Sequence, residues 1–240
     1  MRLVKSEVGL ILSDRTIRRY NHVKNLKWGK PRVHPLLSAL HEKKRLAFAK
    51  KHKLTNFDNW IFSDEKMFRV GAAPVGQRYR KGDRPAVGKN PWSGQVHVWF
   101  AISNKFKFQP HIIEGTLTGE SFIELMKKVR PTHGFGDTVF MLDGAPAHRS
   151  VAAKKWMDKK IPNRTRDWPA NSPDCNPIEN LWAIINRRVH MREPKSKAEL
   201  IAAVEDELHK VKPSLVRSLI ASMGRRLRAV IAANGGHTKY

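Results

Sequence analysis

The sequence predicts an α/β fold in which a central sheet is flanked by helices, with a short helical region before it and a helical tail after it. In the middle of the chain, apolar runs of strand length, such as NWIFS at 59–63 and TVFML at 138–142, alternate with helical patterns. Residues 194–240 carry only helical patterns, with apolar residues three and four positions apart. Hydrophobic residues make up 40% of the 240 residues, which is enough to build a core.

The charge of the chain indicates its partner. Lys and Arg number 46 against 21 Asp and Glu, for a formal net charge of +25. So large an excess repels itself unless a polyanion neutralises it, which predicts nucleic acid as the partner. A membrane surface is the weaker alternative because no amphipathic basic helix dominates. The sequence also lacks a transmembrane run and a signal peptide, and the lone Cys175 excludes an internal disulfide, so we expect a nuclear or cytoplasmic protein.

The first thirty residues contain two short helical patterns separated by a glycine. Ser13 is placed to cap the second helix, and Ile17, Tyr20 and Val23 are spaced to form one apolar face. The basic residues that lie largely off this face are Arg15, Arg18 and Arg19. A short helix, a turn and a basic helix are typical of the end of a helix-turn-helix, although an ordinary helical hairpin fits this segment equally well.

The elements that follow alternate in type. In chain order, we predict a basic helix at 36–53, a hairpin of NWIFS with MFRV (67–70), a long loop at 71–95, strands at 95–103 and 108–113, a helix at 118–129, a strand at 138–142, a helix at 150–159, a short strand near 161–166 and a helix at 177–191. In the tail, Ser196 and Glu199 predict a capping box. Pro213 begins a last helix that ends at Asn234-Gly235-Gly236.

Two of the predicted strands run directly into an aspartate, namely Asp64 and Asp143. If these strands are parallel neighbours, both carboxylates emerge side by side at the same edge of the sheet, where α/β proteins bind ligands. Two carboxylates so close repel each other unless a cation lies between them, and Mg²⁺ prefers such oxygen ligands. Glu179, which follows the proline-rich segment WPANSPDCNP, is the candidate for a third ligand of a two-metal site that acts on phosphorus.

Each of these acids has a simpler interpretation. An aspartate after a strand is often only a turn former. Glu179 lies three residues after Asn176, which predicts a capping box instead of a metal ligand. Glu65 and Asp174 compete for roles in the site, but strand alternation turns Glu65 to the opposite face and the Ser-Pro-Asp context of Asp174 is typical of a turn.

Five segments resemble successive signature blocks of the mariner-superfamily DDE transposases. They are FSDEKMF (62–68), VHVWFAIS (96–103), EGTLTGESFIELM (114–126), LDGAPAH (142–148) and WPANSPDCNPIENLW (168–182). Between Asp64 and Asp143 lie 78 residues, and between Asp143 and Glu179 lie 35, close to the family's usual interval. The ending GGHTKY is also similar to that of the family.

The resemblance implies an RNase H-like mixed sheet, two Mg²⁺ or Mn²⁺ ions, cleavage of transposon ends and strand transfer into target DNA. It assigns the catalytic and metal-binding triad to Asp64, Asp143 and Glu179, and it places His148 as a residue that orients the second aspartate or serves structure alone. It also implies a homodimer in the DNA complex. The loop at 71–95 falls where relatives carry a segment that reaches DNA or the partner subunit, and its basic residues include Arg78, Arg80 and Lys81.

The resemblance divides the chain into four predicted regions. They are a partial helix-turn-helix at 1–30, a basic linker and helix at 31–56, an RNase H-like catalytic domain at 57–193 and a helical extension at 194–240. Gly144 stands where many relatives have Asn, and the partial recognition unit predicts poorly selective DNA binding. The alternatives are a catalytically silent, transposase-derived DNA-binding protein and a ribonuclease of the same fold.

Overall fold

The computed structural model describes residues 3–5, 11–24, 36–69, 94–131 and 134–240. The chain divides into two compact units, residues 1–35 and residues 36–240. In the part of the chain so described, no helix has both the length and the apolar character needed to span a bilayer.

The first unit combines a small ladder with one helix. Strand β1 (Leu3–Lys5) pairs antiparallel with β2 (Ile11–Ser13), so the helix predicted at the start of the chain is wrong. Short apolar runs fit a helix or a strand equally well, because they are too short to show a period. Here the two runs on either side of the glycine pair as strands. Helix α1 (Asp14–Val23) begins as predicted, because the Ser13 hydroxyl accepts a hydrogen bond from the Thr16 amide at 3.2 Å.

The second unit is built on a four-stranded mixed sheet. Its strands are β3 (Trp60–Arg69), β4 (Gln95–Ser103), β5 (His111–Ile113) and β6 (Val139–Met141), in the order β5-β4-β3-β6. Strand β3 pairs antiparallel with β4 and parallel with β6. The predicted hairpin is wrong, because β3 pairs with β4 without a break from Ile61 to Arg69, and Asp64 therefore lies inside the strand, opposite Phe100.

Helices surround this sheet. They are α2 (Ala39–His52), α3 (Gly119–Val129), α4 (Pro146–Arg149), α5 (Val151–Lys160), α6 (Ile178–Met191), α7 (Lys197–His209), α8 (Pro213–Ala221) and α9 (Met223–Ala232). Helix α6 packs on β3, whereas α7 and α8 pack on β4. The core is aromatic, with Trp99, Trp182 and Phe62 fully buried.

Three predicted elements change in detail. The short strand expected near 161–166 is reduced to a single bridge between Phe140 and Arg164. The helix expected from Pro213 onward is interrupted at Ser222, whose amide and hydroxyl both donate to the Leu219 carbonyl and so close a turn between α8 and α9. In the Ser196 cap, the Glu199 carboxylate accepts from the Lys195 amide instead of from the cap's own N–H.

Helix α2 belongs to the second unit because a buried polar cluster fixes it to the end of the chain. The Arg45 guanidinium, which has no exposed surface, donates to both carboxylate oxygens of Asp174 at 2.7 Å and to the Gly235 carbonyl at 2.7 Å. The Thr238 hydroxyl donates to the same carboxylate at 3.0 Å. We call Arg45, Asp174, Gly235 and Thr238 the tail clamp.

The predicted glycine cap after α9 is confirmed, and it is part of this clamp. Gly235 adopts a φ of +90°, and its amide donates to the Val230 carbonyl at 2.9 Å, which closes the helix end. A Cβ atom at Gly235 would lie 2.2 Å from the Glu42 carbonyl oxygen of α2. Only glycine therefore allows α2 and the end of α9 to approach each other so closely.

Candidate active site

Strands β3 and β6 bring the two predicted aspartates together. Their parallel ladder pairs Trp60 with Val139 and Phe62 with Met141. Asp64 and Asp143 each lie two residues beyond the last of these pairs, Asp64 within β3 and Asp143 just after the end of β6. The prediction that the two acids follow parallel neighbouring strands is confirmed, although β3 itself continues past Asp64 to pair with β4.

Helix α6 contributes to the environment of Asp64. The indole Nε1 of Trp182, a fully buried residue, donates to Asp64 Oδ2 at 3.0 Å. Burial, followed by the negative charges of Glu179 and Glu65, raises the pKa of Asp64 to about 8. The hydrogen bond from the neutral indole of Trp182 does not offset the negative charges around Asp64, whereas a bound cation would offset them.

His148 holds the second aspartate. Asp143 Oδ1 accepts hydrogen bonds from the Ala145 amide at 2.9 Å and from His148 Nδ1 at 2.9 Å. Burial alone would lower the pKa of His148, but the hydrogen bonds and charges of Asp143 and Glu65 raise it to about 9. Burial alone would raise the pKa of Asp143, but the hydrogen bond and charge of His148 lower it below its usual range. His148 is therefore protonated at neutral pH and keeps Asp143 ionised.

Glu65 lies on the other side of the strand from Asp64, as the alternation of strand residues predicts. Asp64 contacts Trp182 of α6, whereas the Glu65 carboxylate lies 3.6 Å from His148 Nε2 of α4. The Phe122 ring packs on His148, with its centre 4.4 Å from that of the imidazole. Glu65 thus acts on the site through His148, and it is a poor candidate for a metal ligand.

The capping box predicted at Glu179 is not formed. The Asn176 side chain instead accepts from the Ile178 amide at 3.3 Å and donates to the Ser63 carbonyl at 3.4 Å, which fixes the start of α6 to the residue before Asp64. No side-chain cap bond involves the Glu179 carboxylate, and burial raises the pKa of Glu179. Because Glu179 and Trp182 are three residues apart, they share the face of α6 that approaches Asp64.

Asp174 does not belong to the acidic site. Its carboxylate is occupied by Arg45 and Thr238 in the tail clamp, and the Arg45 charge holds the pKa of Asp174 below its usual range although burial alone would raise it. The predicted turn is confirmed as a 3-10 turn at Pro173–Cys175. Sequence reasoning missed the partner, because Arg45 lies in the run KKR and such a run is typical of a solvated surface.

The chemistry of this donor set suits a hard divalent cation. Asp64, Asp143 and Glu179 offer only carboxylate oxygens, which Mg²⁺ and Mn²⁺ prefer. As they are placed, the described residues contain no group of three or more Asp, Glu, His or Cys side chains close enough to hold a metal ion. Like charges keep apart until a cation neutralises them, so we expect binding to draw the three carboxylates together.

The residues predicted to contact DNA divide into two groups. Arg15, Arg18 and Arg19 are exposed along α1, as an interface would require. The helix also exposes its apolar residues, since Tyr20 is 57% and Val23 is 72% exposed. Arg78, Arg80 and Lys81 lie outside the described residues.

Two family models match the chain. Residues 59–201 match the DDE superfamily endonuclease family, and residues 1–54 match a helix-turn-helix model described as Transposase. The chain belongs to the DDE superfamily endonucleases. The DDE model spans the sheet and the three acids, and the transposase model spans α1 and α2. In the structure, however, α2 belongs to the second unit and α1 to the first.

Named relatives agree with this family. The chain is 34% identical to the transposable element Tc3 transposase of Caenorhabditis elegans, over 99% of this chain and 75% of that protein. It is 31% identical to the transposable element Tcb1 transposase of Caenorhabditis briggsae, over 95% of this chain and 88% of the relative. This DDE endonuclease is therefore a transposase of the Tc1/mariner type.

Solved structures confirm the predicted fold class. The chain is similar to the Mos1 mariner paired end complex with Mn, with a TM-score of 0.76 at 14% identity, over 95% of this chain and 72% of that one. It is also similar to the catalytic domain of Mos1 mariner transposase, with a TM-score of 0.65 at 14% identity, over 87% of this chain and all of that one. The mixed sheet flanked by helices is thus the RNase H-like architecture.

Proposed function

We propose that Asp64, Asp143 and Glu179 hold two divalent ions, Mg²⁺ or Mn²⁺, with which this transposase cleaves DNA at transposon ends and transfers the cut strand into target DNA. Ions bound there supply Lewis-acid activation of the attacking oxygen and stabilisation of the leaving oxygen. One observation supports the proposal: β3 and β6 pair in parallel up to two residues before each aspartate, while Trp182 of α6, the helix that carries Glu179, donates a hydrogen bond to Asp64.

The residues around the triad have separate tasks in this proposal. Trp182 fixes one oxygen of Asp64 and leaves the other to a ligand. His148 keeps Asp143 ionised and fixes its Oδ1, which would leave the second oxygen free to hold an ion. Asn176 joins the start of α6 to β3 and thereby sets the distance between Glu179 and the aspartates. Such fixed ligands lower the cost of assembling the charged transition state.

The test is nicking of supercoiled DNA by the purified protein with and without Mg²⁺. We expect Asp143→Asn and Glu179→Gln to abolish Mg²⁺-dependent nicking and to leave DNA binding intact, because both remove a ligand charge but keep the side-chain shape. Glu124→Gln, at an exposed glutamate of α3, is the matched control and should nick at the parental rate. Full activity in Glu179→Gln would show that the third ligand is a different residue.

The same assay separates the two alternative functions. A silent DNA-binding protein would bind the plasmid but leave it uncut at every Mg²⁺ concentration. A ribonuclease of this fold would cut an RNA–DNA hybrid in preference to the plasmid. We expect the plasmid to be cut and the hybrid to be spared.

The net charge of +25 supports DNA as the partner, through phosphate contacts that include Arg15, Arg18 and Arg19 on α1 and, outside the described residues, Arg78, Arg80 and Lys81. Binding by phosphate contacts alone is tight and poorly selective. We therefore expect affinity to fall steeply with salt and to differ little between DNA sequences. A strong preference for one sequence in a competition assay at moderate salt would contradict this expectation.

The assembly and location follow from the relatives. The solved neighbour is a paired end complex, which supports a homodimer of this chain on two DNA ends. The named relatives come from nematodes, which supports a nuclear location. Light scattering of the protein with and without end DNA would reveal the change from monomer to dimer.

A further inference from the structure

A basic groove adjoins the acidic site. A cavity of about 370 Å³ opens beside Asp143, and a second cavity of about 380 Å³ opens against α2. The two cavities share Arg166 and Trp168, so they are neighbours, and we treat them together as one groove. We call it the α2–α5 groove. The basic and aromatic residues of its lining include Lys44, Lys51, Arg149, Lys154, Arg166 and Trp168.

Part of the groove's positive charge is already neutralised. Asp158 pairs with Arg164 and Arg166, and Asp167 pairs with Lys51 at 2.6 Å. The cations that remain are Lys44, Arg149 and Lys154, which are exposed and form no ion pair among the residues that the structure describes, although the charge of Arg149 acts on Asp143. They line the groove from the Asp143 side, where Arg149 lies on α4, to α2, where Lys44 lies. A row of unpaired cations is what a chain of phosphates requires.

Trp168 gives the groove an apolar surface at its midpoint. The indole is partly buried and is held in place by ring contacts with Phe48 at 5.1 Å and Phe62 at 6.4 Å. Its remaining surface lines both cavities. A fixed aromatic ring among basic side chains is a common arrangement for binding single-stranded nucleic acid, because a base or sugar packs on the ring while the phosphates meet the cations.

We propose that the α2–α5 groove binds the sugar–phosphate backbone of a DNA strand that passes the active site at Asp143. The inference rests on the proposed function, since an enzyme that cuts DNA must bind the strand on both sides of the phosphate that it cleaves. Two strands share this chemistry, namely the transposon end and the target DNA. Lys44 and Lys51 line the groove but are not members of the tail clamp, whose only residue on α2 is Arg45.

The first experiment measures binding without metal, so that it does not depend on cleavage. In the triple variant Lys44→Gln, Arg149→Gln and Lys154→Gln, the log–log salt slope of affinity for a generic duplex should fall by about 2 to 3, because each lost phosphate contact contributes about 0.9. The matched control removes the same charge from exposed lysines of α5 that do not line the groove. It consists of Lys155→Gln, Lys159→Gln and Lys160→Gln. If the slopes of both triple variants match, the groove does not bind DNA and the proposal is overturned.

The second experiment identifies the strand, with Mg²⁺ present. If the groove variant loses cleavage of end DNA by tenfold or more relative to the control, the bound strand is the transposon end. If it cleaves normally but loses joining of a pre-cut end into a plasmid, the strand is target DNA. Normal rates in both reactions would overturn the placement of the strand at the active site. Failure of the proposed function would instead abolish Mg²⁺-dependent cutting in parent and variants alike, and would leave the salt slopes unaffected.

Discussion

Replacement of Asp64 by asparagine should stabilise the metal-free protein and should do so more strongly as the pH rises. In the folded chain, burial and then the charges of Glu179 and Glu65 raise the pKa of Asp64 from 3.8 to about 8. Between these two values the folded state keeps a proton that the unfolded state has released. The free energy of unfolding therefore falls as the pH increases, by about 1.4 kcal/mol per pH unit.

Asparagine has almost the same shape as aspartate, and its carbonyl oxygen still accepts the hydrogen bond from Trp182 Nε1, but it never ionises. Relative to the parent, Asp64→Asn should thus gain about 3 kcal/mol of stability between pH 5 and pH 7. For a chain of this size, that gain corresponds to a rise in melting temperature of roughly 6–12 °C. The expected sign is unusual, since most substitutions at a buried polar residue destabilise.

The assay is thermal unfolding in EDTA at pH 5, 6 and 7, followed by circular dichroism. Asp137→Asn, at an exposed aspartate, controls for the loss of one negative charge from so basic a protein. A difference between Asp64→Asn and the parent that is the same at pH 5 and pH 7 would refute the reasoning. Addition of Mg²⁺ or Mn²⁺ at pH 7 should stabilise the parent and have much less effect on the variant, because the ligand charge is missing.

The remaining predictions concern the helix start, the clamp and the glycine cap. Glu179→Gln should not lower the melting temperature in EDTA, because no cap bond involves this carboxylate and its charge only repels Asp64; a drop of several degrees in a thermal scan would show that the carboxylate makes a stabilising contact in the folded chain. Asp174→Asn should cost about 3–5 kcal/mol in urea unfolding, because it leaves the buried Arg45 charge unpaired; a cost below about 1 kcal/mol would show that the clamp is not a stabilising pair. Gly235→Ala should destabilise far more than Gly115→Ala, since both have positive φ but only the first would clash with backbone; equal losses would mean that the close approach to α2 is unimportant.

The sequence predicted those parts of the fold that depend on local pattern. The strand predicted at 95–103 is confirmed with the same bounds, and the helix predicted at 118–129 spans Gly119–Val129 behind the Thr118 cap, because both have clear apolar patterns. The parallel pairing of the strands that lead to Asp64 and Asp143 is also confirmed, because both strands have continuous apolar patterns. Such elements can be predicted from the local sequence alone, without knowing which distant residues they contact.

The errors arose where distant side chains change a local preference. The polar stretch at 64–66 predicts a turn, yet β3 runs through it because Asp64 is held by Trp182 and Glu65 lies beside His148, each from a helix on its own side of the strand. The cap at Glu179 failed because Asn176 bonds instead to the backbone of β3. No pattern of one sequence reveals such contacts, which join residues more than 80 positions apart.

The tail clamp has a consequence for the order in which the protein is made. Arg45 and the Gly235 carbonyl are separated by 190 positions in sequence. A ribosome that adds about 5–20 residues per second needs roughly 10–40 s to travel that distance. Asp174 is made earlier, but the Gly235 carbonyl and the Thr238 hydroxyl are missing until the end of that interval, so the cluster that fixes α2 is incomplete. Asp174 also lies just before α6, the helix that carries Glu179, so the same cluster connects α2 and the end of the chain to the approach to α6. A chain that stops before residue 235 should therefore unfold more readily than the full chain, although it contains Asp64, Asp143 and Glu179.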